Sequence, residues 1–215
     1  MKSILLIGIS HFGALLAKQL HNLGHEVLAV DRDEARINAI LPLVTDAQIG
    51  DSTNEAFLRT LGIGNFDVCI VAIGSDFQNS LETTSLLKEL GGKLVVSLAD
   101  REGQAKVLLR TGADEVINPE AQIAEWAAIR YASSHILDYI SLDDGHAIYE
   151  VSVPKEWIGK SVGQIDIRKR YGINIMAIRQ NGKMNLSVSS ETILTEHITM
   201  MVLGERKAVQ KCFKI

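Results

Sequence analysis

Residues 3–13 read SILLIGISHFG, and this stretch decides the fold of the chain. A helix-like segment follows to Gly24, and the strand-like run 26–30 then ends at Asp31. This order of strand, glycine turn, helix, strand and acid is typical of a dinucleotide-binding fold, in which a helix N-terminus faces the pyrophosphate and the acid accepts the ribose hydroxyls. Asp31 lies 23 positions beyond Gly8, which fits that arrangement. The opening of the chain therefore predicts an adenine-nucleotide site.

One position of the glycine motif departs from the usual pattern. The middle glycine is Ser10, at a position that is usually bare because the backbone approaches the phosphates there. A serine still fits there and its hydroxyl can donate to a phosphate oxygen, although we expect a weaker or shifted pose of the ligand. The alternative is a nucleotide fold that has lost its ligand and keeps the loop as a turn. Gly8 is expected to make the tight turn and Gly13 to let helix pack on strand.

The composition is that of an ordinary intracellular protein. The 215 residues suffice for one large domain or two small ones, and the net charge of −4 argues against a broad nucleic-acid surface, which needs a basic face. No apolar run approaches the roughly 18 to 20 residues that cross a bilayer. A core strand at the N-terminus leaves no room for a signal peptide. Cys69 and Cys212 lack the spacing of a zinc site or a disulfide framework.

Short apolar runs alternate with helix-like segments through the first 118 residues. This alternation predicts a doubly wound, Rossmann-like α/β fold with a six-stranded parallel sheet in the order 3-2-1-4-5-6. The predicted strands are 3–7, 26–30, 45–49, 67–73, 93–98 and 115–117, and the predicted helices are 11–23, 33–41, 53–61, 77–90 and 102–111. Glycines mark four helix ends, at Gly24, Gly62, Gly91 and Gly112. Ser52 or Thr53 is predicted to cap the third helix and Asp100 the fifth.

The topology brings further residues to the edge of the sheet where Gly8 lies. Strand 3 is followed by Asp51 and Ser52, which can reach an adenine or its ribose. Strand 4 is followed by Ala72, Ile73 and Gly74, and the glycine allows a close approach of the backbone. Asp51 taken alone fits equally well as an acid that interacts with the dipole of the following helix.

Pro119 ends the alternation, and we predict three parts: a nucleotide-binding domain over 1–119, a connecting helix within 120–141, and a small α+β domain over 142–215. Residues 120–139 carry apolar side chains around much of a helix, which predicts packing on more than one partner. That partner is a second subunit or, as an equal alternative, the edge of the chain's own sheet. In the last domain, Asn181-Gly182 predicts a β-hairpin.

The sequence offers no convincing catalytic centre. None of the six histidines has the partner spacing of a metal site or a general base, and no Ser-His-Asp order can be assembled. This favours a sensor over an enzyme. The alternative is a small NAD-dependent oxidoreductase, which would need a group to move a proton near the nicotinamide. A redox-sensing repressor is a third hypothesis, but its only dense basic cluster, residues 168–170, is short.

With these residues in hand, the chain resembles the RCK proteins (regulators of potassium conductance), with a TrkA-N and a TrkA-C part, and among them the Ktr/Trk-type cytoplasmic subunits of potassium uptake systems. The likeness covers essentially the whole length. It is carried by the stretches HFG (11–13), GHEVLAVD (24–31), LGI (61–63), VAIG (71–74), GADEVINPE (112–120), GKS (159–161) and YG (171–172).

The resemblance implies a gating subunit that lies at the inner face of the cell membrane, in a homo-oligomeric ring built from dimers and expected to hold eight copies, beneath a membrane potassium transporter. ATP, ADP, NAD or NADH would bind the first domain and change the shape of the ring. The implied phosphate contacts are Gly8, Ser10, His11, Phe12 and Gly13. Asp31 and Arg32 would hold the ribose, Asp51 and Ser52 the adenine.

The resemblance also implies two further sites and one weakness. Glu120 matches a position that binds divalent cations between subunits in some members of the family. Cyclic di-AMP is implied at Asp166, Ile167, Arg168 and Asn174. The glycine loop of relatives often carries an arginine where this chain has His11, and loss of that permanent charge weakens recognition of a terminal phosphate.

Overall fold

The computed structural model describes residues 1–74, 76–143 and 145–213. The chain divides into two compact units, Met1–Ala121 and Gln122–Ile215. None of the described helices is both long enough and apolar enough to cross a lipid bilayer.

The first unit is a doubly wound α/β layer structure. Its six strands are all parallel and lie in the order β3-β2-β1-β4-β5-β6, as the alternation of the sequence predicted. The strands are β1 (Ser3–Ile7), β2 (Glu26–Asp31), β3 (Asp46–Ile49), β4 (Val68–Val71), β5 (Val95–Leu98) and β6 (Glu115–Ile117). The helices between them are α1 (His11–Asn22), α2 (Glu34–Ile40), α3 (Glu55–Leu61), α4 (Phe77–Glu89) and α5 (Glu102–Thr111).

The central strands are buried on both faces because helices cover the sheet from two sides. One apolar cluster includes Leu6 and Ala17 of β1 and α1, and the other includes Leu5 and Leu58 of β1 and α3. Alternate residues of one strand thus serve opposite cores, which is why β1 and β4 appear in the sequence as unbroken apolar runs. The carboxyl ends of β1, β2 and β4 are fixed side by side in this way.

Two helix caps differ from the prediction. Asn54, and neither Ser52 nor Thr53, caps α3, since its side-chain oxygen accepts a hydrogen bond from the Phe57 N–H at 3.3 Å. Arg101, and not Asp100, occupies the cap position of α5. At this helix start the side-chain oxygen of Gln104 accepts hydrogen bonds from the N–H groups of Asp100 and Arg101.

The connecting helix is shorter than predicted. Helix α6 (Pro119–Ala132) ends seven residues before Tyr139, and residues 136–141 form strand β7 (Ile136–Ser141). The prediction of a helix to Tyr139, within a connecting segment reaching residue 141, is therefore wrong beyond Ala132. The cause is non-local, because β7 pairs antiparallel with β8 (His146–Ser152), and this pairing buries Ile136 and Tyr139.

The second unit is a five-stranded antiparallel sheet in the order β10-β9-β11-β8-β7, with helices packed on it. Its remaining elements are α7 (Val162–Ile165), α8 (Ile167–Tyr171), β9 (Asn174–Gln180), β10 (Lys183–Asn185), β11 (Ile198–Glu205) and α9 (Arg206–Phe213). The predicted hairpin is confirmed, since Asn181 and Gly182 both have positive φ and Gln180 pairs with Lys183. The core includes Tyr149, Trp157, Met200 and Phe213.

Candidate functional site

A cleft of about 580 Å³ lies at the carboxyl edge of the first unit's sheet. Parallel doubly wound sheets bind ligands at this edge, where the strand order reverses between β1 and β4. Its walls come from the segments that follow β1, β2, β3 and β4. The lining residues are Ile7, Gly8, Ser10, Val30, Asp31, Arg32, Arg36, Gly50, Asp51, Ser52, Thr53, Ala72, Ile73, Gly74, Asp76 and Asn79.

Two positions of the opening loop have no room for a side chain, so both must be glycine. Gly8 has φ +91°, and a Cβ there would lie 2.9 Å from the carbonyl carbon of Ala72. A Cβ on Gly13 would lie 2.2 Å from the Gly8 carbonyl oxygen. Gly8 therefore makes the left-handed turn beside β4, while Gly13 lets α1 pack against the loop. These geometries match the two functions that the motif predicted.

Ser10 has a structural use in this loop. It is the N-cap of α1, where its Oγ accepts from the Gly13 N–H at 3.3 Å. The same hydroxyl donates to the carbonyl oxygen of Ala72 at 3.1 Å. The serine thus ties the start of α1 to the end of β4. In this geometry the hydroxyl proton is donated to the Ala72 carbonyl and is not offered to a ligand.

His11, Phe12 and Gly13 do not line the cleft. His11 is exposed at the first position of α1, and Phe12 packs against the apolar core. The main-chain N–H groups of the first helical turn have no acceptor within the helix, and Ser10 satisfies only that of Gly13. What residues 11 and 12 offer to an anion is therefore their main chain, together with the positive end of the helix dipole.

Asp31 is the most constrained polar residue of the cleft, and only 8% of it is exposed. Its Oδ2 accepts from the Ile9 N–H at 2.6 Å, and its Oδ1 accepts from the Asp33 N–H at 2.9 Å. The carboxylate therefore holds the glycine loop against the end of β2. Each carboxylate oxygen can accept a further hydrogen bond, which leaves capacity for two ribose hydroxyls.

Two arginines accompany this carboxylate. Arg32 follows β2 directly, and its charge is one of the weaker causes that lower the pKa of Asp51. Arg36 comes from the first turn of α2, with its Nη1 3.7 Å from Oδ2 of Asp31 and its Nε 3.6 Å from Oδ2 of Asp33. The sequence analysis did not predict Arg36. Its signal is a basic residue five positions after the acid, one helical turn beyond the strand end.

Asp51 and Ser52 form the wall below β3. The pKa of Asp51 is lowered, first by the hydrogen bond from the Thr53 N–H and then by that from the Thr53 hydroxyl, at 2.9 and 2.7 Å. Asp51 is therefore an ionised acceptor near neutral pH. Ser52 is buried, and its Oγ lies 2.8 Å from Oγ1 of Thr83 on α4. This hydroxyl pair joins the cleft wall to the helix behind it.

The opposite wall comes from the end of β4 and the start of α4. Ala72, Ile73 and Gly74 lie there, and a Cβ on Gly74 would have open space around it. Asp76 caps α4 by accepting from the N–H of Asn79 at 3.1 Å, and it also binds the Asn79 side-chain amide at 2.7 Å. Asn79 and Thr53 also line the cleft. The sequence analysis considered Thr53 only as a helix cap and did not predict either residue as part of the site.

The structure does not form a recognisable pocket from the residues predicted for the divalent cation or from those predicted for cyclic di-AMP, within the residues that it describes. Glu120 is exposed in the first turn of α6, and the described residues contain no group of three or more His, Cys, Asp or Glu side chains placed to hold a metal. Asn174 lines a groove of about 920 Å³ in the second unit, which Asp166, Ile167 and Arg168 do not line. Ile167 is a core residue, and only Arg168 and Asp166 are exposed.

Comparison with known families matches both parts of the chain. Residues 4–119 match the TrkA-N domain, and residues 147–215 match the TrkA-C domain. Among curated proteins, Ktr system potassium uptake protein C of Bacillus subtilis is 36% identical over 94% of this chain and 92% of its own length. Ktr system potassium uptake protein A of the same organism is 37% identical over 98% of this chain and 95% of its own.

Solved structures share the fold. The GsuK channel superposes with a TM-score of 0.70 at 20% identity, over 97% of this chain and 38% of the channel chain. The GsuK RCK domain gives a TM-score of 0.67 at 20% identity, over 99% of this chain and 47% of that one. This chain thus spans less than half of those structures, and at such identity the likeness establishes the fold alone. On the domain matches and the two Bacillus relatives, the chain belongs to the TrkA-N/TrkA-C family that includes the Ktr potassium uptake proteins.

Proposed function

We propose that this chain is a nucleotide-sensing regulatory subunit of a membrane potassium uptake system. The observation that carries the proposal is the cleft, in which a glycine loop, a helix N-terminus and the buried acid Asp31 meet at the carboxyl edge of the sheet. Relatives that are 36% and 37% identical over nearly the whole chain are potassium uptake proteins. Together, the cleft and the relatives support a protein that binds a nucleotide and acts in potassium uptake.

The ligand we infer is an adenine nucleotide, namely ATP, ADP, NAD or NADH. Its phosphates would lie against Gly8, Ser10 and the N-terminus of α1, formed by His11, Phe12 and Gly13. Asp31, with Arg32 nearby, would take the ribose. The adenine would lie by Asp51 and Ser52, and the segment 72–74 would form the far wall. The GsuK channel, which has the same fold at a TM-score of 0.66, has been solved bound to NAD, and this supports an adenine nucleotide as the class of ligand.

We infer binding without catalysis. Asp51 has a lowered pKa and is therefore a poor proton donor at neutral pH. The hydroxyls of Ser10 and Ser52 are engaged with Ala72 and Thr83. These acidic and hydroxyl side chains of the lining thus act as acceptors and as positioning groups for a ligand. A nucleotide bound there can regulate a partner only by favouring one conformation over another.

Self-association is part of the proposal. Helix α6 packs Trp126 and Ile129 on the core of the second unit, while Ile123 and Tyr131 are 64% and 74% exposed. Large apolar side chains left in solvent on a helix with one packed side favour burial by a second copy. We propose a dimer that builds a ring, with eight copies as the expected size, on the cytoplasmic face of a potassium transporter subunit in the membrane.

The divalent cation at Glu120 and cyclic di-AMP at Asp166, Ile167, Arg168 and Asn174 stay predictions from the resemblance. Both would need residues from more than one place on the chain or from a second copy. None of these residues lines the nucleotide cleft, so binding of each ligand can be tested separately.

The test is a thermal-shift panel with ATP, ADP, NAD, NADH, cyclic di-AMP and calcium, paired with mass measurement by light scattering. A ligand that binds only the native state raises the melting temperature in proportion to ln(1 + [L]/Kd). We expect a shift with at least one adenine nucleotide and a mass above that of a monomer. No shift with any nucleotide at millimolar concentration would contradict the proposal. Oxidation of NADH with carbonyl compounds, followed by absorbance, would instead support the oxidoreductase alternative.

A further inference from the structure

Arg36 is a charged residue of the cleft that the proposed function leaves without a role. Its side chain is 53% exposed, and its guanidinium lies 3.7 Å from Oδ2 of Asp31 and 3.6 Å from Oδ2 of Asp33. Neither distance is that of a hydrogen bond, and within residues 1–74, 76–143 and 145–213 its side chain makes none. The guanidinium is therefore held near Asp31 by charge while its donors stay available to a ligand.

The two arginines of the cleft have different charged neighbours. The charge of Arg32 contributes weakly to lowering the pKa of Asp51. The guanidinium of Arg36 pairs with Asp31 and Asp33, at the end where we place the ribose. Arg36 is thus the arginine whose guanidinium is positioned against the Asp31 carboxylate, although Arg32 is the direct neighbour of Asp31 in sequence.

This position bears on which nucleotides the cleft accepts. A carboxylate at the ribose position binds unphosphorylated hydroxyls and repels a 2′-phosphate, whereas an arginine nearby accommodates that phosphate. Here the two kinds of group are 3.7 Å apart. A guanidinium binds a phosphate through two parallel N–H donors. A phosphate can therefore replace the two long carboxylate contacts of Arg36.

We propose that Arg36 is the specificity-determining residue at the ribose end of the cleft, and that it lets the cleft accept adenosine with a phosphate on the ribose 2′ oxygen as well as adenosine without one. This inference rests on the proposed nucleotide site. NADP therefore binds alongside NAD, with its 2′-phosphate against Arg36 and its phosphate bridge at the glycine loop.

The test measures the Kd of NAD and of NADP by titration calorimetry on the full chain, in the wild type and in Arg36→Ala. In the wild type we expect NADP to bind at most tenfold more weakly than NAD. Loss of charge-assisted hydrogen bonds to a phosphate changes affinity by roughly 10- to 100-fold, so Arg36→Ala should raise the ratio of Kd(NADP) to Kd(NAD) at least tenfold. Arg36→Lys should restore part of the ratio, because lysine keeps the charge without the paired donors.

Arg59→Ala is the matched control, because Arg59 is an exposed arginine that pairs with Glu55 on α3 and does not line the cleft. Its Kd ratio should equal that of the wild type. The inference is overturned if wild-type NADP binding is more than tenfold weaker than NAD binding, or if Arg36→Ala changes the ratio by less than tenfold. ATP and ADP are titrated alongside, which separates the two failures: a wild type that binds ATP or ADP but neither NAD nor NADP overturns this inference alone, and one that binds none of the four refutes the proposed site itself.

Discussion

Replacement of Asp31 by alanine should destabilise the first unit even when no nucleotide is present. The carboxylate accepts from the N–H groups of Ile9 and Asp33 at 2.6 and 2.9 Å, and Asp31 is only 8% exposed. Alanine leaves both donors without that acceptor. A buried donor left unsatisfied costs about 1–3 kcal/mol, and the Asp33 N–H regains water more easily than the buried Ile9 N–H. We therefore expect a loss of about 2–4 kcal/mol in the free energy of unfolding.

The assay must distinguish the two units. Both tryptophans, Trp126 and Trp157, belong to the second unit, so tryptophan fluorescence reports on that unit, while far-UV circular dichroism reports on both. In urea, Asp31→Ala should lower the midpoint of the dichroism transition. Asp46→Ala is the control, because Asp46 is exposed and its carboxylate accepts only from the neighbouring Ala47 N–H. An unfolding free energy within 0.5 kcal/mol of wild type would refute the view that Asp31 holds the glycine loop.

Three further changes test individual contacts within the first unit. Gly13→Ala places a Cβ 2.2 Å from the Gly8 carbonyl oxygen, so we expect a loss of at least about 2 kcal/mol in urea unfolding. Ser80→Ala removes a buried hydroxyl that has no partner in the described residues, so the melting temperature should rise in a thermal melt. The hydrogen bond from Lys88 holds the pKa of Asp114 below its ordinary value of 3.8, so native stability should fall as pH drops below about 4, and Asp114→Asn should flatten that fall in acid titrations followed by dichroism.

Control variants place the same substitution in a helix of the first unit where the stated contact is absent. Gly103→Ala meets no atom within 4 Å in α5, so it should be neutral or stabilising, in contrast to Gly13→Ala. Ser85→Ala removes a half-buried hydroxyl of α4 that donates to the Glu89 carboxylate, so the melting temperature should stay nearly unchanged or fall slightly. Equal effects of the paired variants would show that helix propensity, and not the stated contact, governs the result. For Asp114→Asn, a pH profile that coincides with the wild type would exclude Asp114 as a source of acid sensitivity.

The first unit could be predicted almost completely because its information is local. Buried parallel strands appear as apolar runs, and the glycines at positions 24, 62, 91 and 112 all have positive φ at helix ends. The caps were harder to predict because Asp51 and Thr53 bond each other, which leaves Asn54 to cap α3. Nearby polar residues compete for one cap position, and composition alone does not rank them.

Strand β7 could not be predicted because its conformation depends on a distant partner. Ile136, Tyr139 and Ile140 have helical spacing, so the sequence continues the apolar pattern of α6. The structure instead buries the first two against β8, and only pairing between strands makes that choice. Local periodicity therefore gave the wrong element there.

The cleft residues also divide into those that the sequence could place and those that it could not. Gly8, Asp31, Asp51 and the segment 72–74 follow strand ends directly, so the topology placed them at one edge. Arg36 and Asn79 reach the cleft from the first turn of a following helix. Their position depends on how Asp33 and Asp76 start those helices, which the strand pattern does not reveal.

The most direct test of the central claim is a crystal structure of the full chain with millimolar NAD or ATP. The account predicts an adenosine at the carboxyl edge of the first sheet, with its ribose hydroxyls within hydrogen-bonding distance of the Asp31 carboxylate and its phosphates at the N-terminus of α1. A nucleotide bound elsewhere, or side chains filling the space between Gly8 and Asp51, would contradict it.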